Sequence, residues 1–301
     1  MRMQPVEKLS LRGIQLVLVL TLSALLVQSA FAAEFVGTNI SSGQLLLVSP
    51  PNSSAMITTT GAQPSGLIFG PTQEIIYALS GAGTVHIYNP FTRTDTTLAT
   101  GFTTPTYLTM EPACKSILVS DTGVNKIFRI TLNTRVVTTL YNGTDKIQGL
   151  TYDNGGNLFA VDDQLNAIVQ IDPATGAFLN QTPASSPLTA PEGLVFDYFT
   201  QQLFATSNSG QVLYEVPTNL LTVTTIPFTA EPTLHGIVSD NGGNLYIVGA
   251  NATTGFLLQY SISTGVEKTL NTVPGLQDIA LVISGPCPKS AGVLADACGG
   301  N

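Results

Sequence analysis

Along this chain, short runs of β-branched, aromatic and aliphatic residues alternate with clusters of Asn, Asp, Gly, Pro, Ser and Thr. Residues 148 to 182 show the unit. Gly149-Leu150-Thr151-Tyr152 reads as an inner strand, Asp153-Asn154-Gly155-Gly156-Asn157 as a turn and Leu158-Phe159-Ala160-Val161 as a second strand. Ala167 to Ile171 is a third strand, Asp172-Pro173-Ala174-Thr175-Gly176 turns the chain, and Ala177-Phe178-Leu179 is a fourth. The strand residues suit a pleated, packed surface, and the turn residues tolerate or preset the dihedrals that reverse a chain.

The inner-strand pattern recurs six times. Its anchors are Gly66-Leu67-Ile68-Phe69, Tyr107-Leu108-Thr109-Met110, Gly149-Leu150-Thr151-Tyr152, Gly193-Leu194-Val195-Phe196, Gly236-Ile237-Val238-Ser239 and Asp278-Ile279-Ala280-Leu281, spaced 41, 42, 44, 43 and 42 residues apart. A period in the 40s, with four short strands per unit, predicts an all-β, six-bladed β-propeller. Only one strand follows the sixth anchor. The N-terminal stretch 35–50 mirrors residues 204–217, which are the second and third strands of another repeat. The two ends therefore complete one composite blade, three N-terminal strands beside a C-terminal inner strand, and so leave no open sheet edge in the ring.

Residues 1–32 read as a signal peptide, with Arg2, Lys8 and Arg12, an apolar run from Ile14 to Val27 and the small-residue site Ala30-Phe31-Ala32. The propeller then spans 33–284 and a tail 285–301. Removing the signal takes three of the 11 basic and one of the 19 acidic residues, leaving 8 against 18, a formal charge of −10. Such a balance excludes nucleic acid and anionic membrane surfaces as partners, because both require clustered Lys and Arg. A secreted monomer, extracellular or periplasmic, is expected. Three cysteines suit an oxidising compartment, with Cys287 and Cys298 expected to close a small loop in the tail and Cys114 left over.

Chemistry in this architecture concentrates where the inner strands begin, around the axial channel. The residues just before the anchors are Ser65, Thr106, Gln148, Glu192, His235 and Gln277, all polar. Glu192 and His235 lie on neighbouring blades, where a carboxylate and an imidazole can share a hydrogen bond and act as base and acid. The alternative reading packs or solvates His235 without a role. Asp121 and Asp162, at the ends of second strands, face the same side as candidate ligand groups or as simple turn caps. No Ser elbow, phosphate-binding loop or His-Glu-x-x-His motif is present.

Asp153-Asn154-Gly155-Gly156-Asn157-Leu158-Phe159-Ala160-Val161-Asp162 and Asp240-Asn241-Gly242-Gly243-Asn244-Leu245-Tyr246-Ile247-Val248 resemble the D-x-x-G-N-L-Y-V-A-D core of NHL repeats and the six-bladed gluconolactonase- and paraoxonase-like propellers. Pro191-Glu192-Gly193 resembles the stretch whose Glu is a metal ligand in the gluconolactonase-like hydrolases. The resemblance implies further Asn and Asp ligands, but Gln277, Ser65 and Thr106 occupy the matching positions. No cofactor is therefore expected, and a Ca²⁺ ion would find its ligand set incomplete. Two functions remain open: a secreted binding module for a small molecule, glycan, peptide or partner protein, and a lactone or ester hydrolase centred on Glu192.

Overall fold

The computed structural model describes residues 33–282 except 52, 230–232 and 252–253. The signal segment, the tail and the proposed Cys287–Cys298 bridge lie outside the described residues. Within them the chain forms six four-stranded antiparallel sheets and no helix.

Five blades are continuous in sequence, covering residues 64–100, 105–142, 147–181, 191–227 and 233–272. They are called blades 1 to 5. Their inner strands are Pro64–Phe69, Pro105–Met110, Ile147–Tyr152, Pro191–Asp197 and Thr233–Ser239. Blade 6 is composite: the inner strand Leu276–Leu281 pairs with Phe35–Asn39, followed by Gln44–Ser49 and Ser53–Thr59. The seam is in register from Phe35 opposite Leu281 to Thr38 opposite Asp278. At one end the Val282 N–H donates to the Glu34 carbonyl (2.8 Å), and Thr38 Oγ1 accepts from the Asp278 N–H (3.1 Å).

Second strands are buried along nearly their whole length because each sheet is covered on both faces. In blade 3, Leu158 and Ala160 join a cluster with Leu118 and Ile127 of blade 2, while Phe159 and Val161 join one with Leu194 and Leu203 of blade 4. The two-residue pleat thus places alternate side chains in successive inter-blade cores. The same packing seals the ring, where Val36, Leu45 and Ala280 of blade 6 pack with Leu67 and Tyr77 of blade 1.

Turns repeat as faithfully as strands. The residue leading into the third strand has positive φ in four blades: Gly43 (64°), Gly83 (64°), Asn125 (55°) and Asn166 (51°). These are the residue types that occupy this region at least cost. The two NHL-like turns fold identically. Asp153 Oδ1 accepts from the Gly155 and Asn157 N–H groups (2.9 and 2.8 Å), and Asp240 Oδ1 from those of Gly242 and Asn244 (2.7 and 3.0 Å). In both, the Asn side chain donates to the other Asp oxygen at 2.7 Å. The motif's conspicuous carboxylates therefore hold turns. Cys114 likewise occupies a turn, half-buried at φ 53°.

Candidate functional site

All six inner strands begin at the same mouth of the axial channel, which brings Ser65, Thr106, Gln148, Glu192, His235 and Gln277 to one level, one from each blade. Their fates differ. Glu192 is buried at 4% exposure, yet both its oxygens are hydrogen-bonded. Oε1 accepts from the Tyr107 hydroxyl (2.7 Å) and, more weakly, from Gln277 Nε2 (3.4 Å). Oε2 faces His235 Nδ1 at 3.0 Å. These contacts replace the water partners that burial removes.

Thr233 Oγ1 lies 3.3 Å from His235 Nε2 and 2.8 Å from the Ala250 carbonyl. When Thr233 donates to that carbonyl, its oxygen is left to accept from Nε2–H; if the hydroxyl turns, it donates to Nε2 instead.

The hydroxyls of the ring are satisfied elsewhere. Ser65 donates to the Pro105 carbonyl (2.9 Å), and Thr106 lies 3.0 Å from both the Thr104 carbonyl and the Thr122 hydroxyl. These hydroxyls tie neighbouring segments together. Gln148, buried at 7% exposure, makes no side-chain hydrogen bond among the described residues. Asp121 is fully buried and accepts from the N–H groups of Thr103, Thr104 and Gly123 (2.7, 2.8 and 3.1 Å), so its carboxylate is a turn cap. Asp162 caps through Oδ1, taking the Gln164 and Leu165 N–H groups, while its buried Oδ2 has no partner among the described residues. Burial raises its pKa above the usual aspartate range.

Two members of the network are missing from the sequence-derived set, Tyr107 and Asp278. Four anchors begin with Gly, and these two do not. The glycines mark where adjacent inner strands nearly touch: a Cβ on Gly236 would lie 2.0 Å from Asp278 Oδ1, and one on Gly193 would lie 2.4 Å from the His235 carbonyl. Tyr107 instead projects its ring beyond blade 3 to reach Glu192 of blade 4. Asp278 uses the space left at Gly236, with Oδ2 accepting from the Leu67 N–H (3.2 Å) of blade 1. The broken Gly pattern was the sequence signal for both.

Asp278 and Glu192 place two carboxyl groups in one desolvated region. Burial, opposed by two backbone N–H donors and reinforced by the Glu192 charge, pushes the Asp278 pKa up to about 7. Burial first, then the two carboxylates, holds the Tyr107 hydroxyl protonated well above the usual tyrosine range. No cluster of three or more His, Cys, Asp or Glu among the described residues has the geometry to hold a metal ion.

No family model and no curated protein matches the chain. Solved structures do. A nidogen/laminin complex gives a TM-score of 0.71 at 15% identity, covering 83% of this chain and 98% of that one. The fold is a six-bladed β-propeller. A streptogramin B lyase superposes with a TM-score of 0.63 at 15% identity, covering 81% of this chain and 80% of that one. TolB from Acinetobacter baumannii gives 0.65 at 16%, covering 83% and 66%. At such identities the likeness concerns the propeller scaffold, on which unrelated functions are carried. No helix among the described residues is long and apolar enough to cross a membrane.

Proposed function

We propose that the protein is a secreted binding module whose polar channel mouth recognises a small, neutral or cationic hydrogen-bonding ligand, either a free molecule or the terminus of a glycan or peptide. The observation that carries this reading is the engagement of Glu192 by protein partners. Its two oxygens already meet three protein groups at 4% exposure, so it is poorly placed to abstract a proton from an incoming substrate. It instead orders His235 and Gln277 around the opening and supplies negative potential there, with Asp278 close by. The Gln277 carbonyl oxygen offers a further hydrogen bond. A nidogen/laminin complex and TolB among the similar folds are compatible with a partner-binding role.

The second reading, a lactone or ester hydrolase, draws on the His235–Glu192 hydrogen bond, the arrangement that prepares an imidazole for acid–base work. Similarity in fold to streptogramin B lyase adds a catalytic precedent for the scaffold only. Screening neutral, cationic and anionic glycans, peptides, lactones and esters for binding and for turnover separates the two. Binding without turnover, weakened at least tenfold by Glu192→Gln, supports the module. Hydrolysis abolished by Glu192→Gln would establish the enzyme.

A further inference from the structure

The inner strands end about 13 Å from the polar ring, at four residues of about 3.3 Å each, and the channel there changes character. A cavity of about 290 Å³ is lined by all six blades, through Phe69, Met110, Tyr152, Phe196, Val238 and Leu281. We infer that this opposite mouth is a second ligand site, built for a small uncharged molecule of about two fused rings that carries one hydrogen-bonding group.

Size sets the first limit. A dry apolar cavity of about 150 Å³ accommodates benzene, so 290 Å³ has room for a bicyclic molecule. Shape gives the second: Phe196 and Tyr198 meet edge to face, with centroids 5.0 Å apart at 85°, presenting an aromatic wall on one side.

Polarity sets the third. Most polar groups of the lining are consumed within the protein. Asp240 is taken by its own turn, and Ser239 donates to Asp197 and accepts from the Asn241 N–H (2.8 Å). Thr151 Oγ1 accepts from the Phe196 N–H (3.2 Å). Asn241 spends its oxygen on the Tyr198 N–H (3.2 Å), leaving its NH₂ and the Tyr198 hydroxyl without partners among the described residues. A ligand thus meets apolar walls and three hydrogen-bonding groups, since the Thr109 hydroxyl in the lining also has no partner among the described residues. The Asp240 and Asp197 carboxylates on that side disfavour an anion.

The chain provides its own reporter. From residue 33 onward its methionines are Met110, in the cavity, and Met56, 59% exposed on the outer strand of blade 6. We expect titration of ¹³C-methyl-methionine-labelled protein with 2-naphthol to move the Met110 signal along a saturable curve and leave Met56 in place. 2-Naphthoate should bind at least tenfold more weakly. Thr109→Leu, which adds volume and removes a hydroxyl at the lining, should weaken 2-naphthol at least tenfold while the fold, monitored by circular dichroism, is kept. An unmoved Met110 signal, or equal unsaturating shifts of both methionines, would overturn the inference. Equal affinity for naphthol and naphthoate would overturn its charge assignment.

Discussion

Replacing Asp278 with Asn removes a carboxyl group from the network while keeping its shape and its acceptor for the Leu67 N–H. Asp278 is 8% exposed, and burial lifts its pKa from 3.8 to about 7 in the folded chain, with Glu192 pushing in the same direction and His235 opposing. Because the folded pKa is the higher one, the native state holds a proton that the unfolded chain releases between pH 3.8 and 7. Its stabilising contribution is complete below the unfolded value and is lost as pH rises through the folded one. A shift of about three units corresponds to an upper bound of about 4 kcal/mol between the two limits. Asn does not titrate, so the difference in unfolding free energy between variant and wild type should move in the variant's favour from pH 5 to pH 9. Urea unfolding at pH 5, 6, 7, 8 and 9 reads that difference directly, and acids elsewhere cancel in it. A difference constant to within about 0.5 kcal/mol across the series, smaller than a single surface-level effect, would refute the placement of Asp278 as a buried, proton-holding acid.

Three further outcomes test the same framework. Gly236→Ala should cost about 1–3 kcal/mol, because its methyl meets Asp278 Oδ1 at 2.0 Å; a change below about 0.5 kcal/mol in denaturant unfolding would mean the blades are not so closely apposed. Tyr107→Phe leaves Glu192 Oε1 with only the 3.4 Å contact from Gln277, and should cost about 1–3 kcal/mol in the same assay. Deleting residues 33–60 strips blade 6 to its inner strand and exposes the edge of Leu276–Leu281, so the truncated chain should aggregate; a soluble product with the full-length melting temperature would disprove closure through the composite blade.

The repeat made the scaffold legible because it is written in local chemistry: every inner strand contains its anchor, starting two or three residues before it, and the mirrored segments 35–50 and 204–217 pointed to the seam of blade 6. Boundaries moved by up to three residues, as at Ile147 and Gln181 in blade 3 and Thr233 in blade 5. The site was harder to read. Neighbouring blades could be foreseen to bring Glu192 and His235 together, since adjacent repeats are adjacent in space. Tyr107 reaches across a whole blade to Glu192, a contact of 85 residues in sequence that no short pattern encodes. Asp278 was visible only as the exception to a glycine column. The hydrogen bonds that Ser65, Thr106 and Asp121 make to neighbouring segments could not be counted from the sequence, which left Asp121 open as ligand group or turn cap.

The most direct measurement is calorimetric affinity of wild type and Glu192→Gln for the tightest neutral or cationic ligand of the screened panel, with turnover followed in the same samples. The account predicts one ligand per chain, no chemical conversion, and at least a tenfold loss on removing the charge, about 1.4 kcal/mol. Equal affinities would place recognition away from the polar mouth, and conversion that disappears in Glu192→Gln would contradict the binding-module reading.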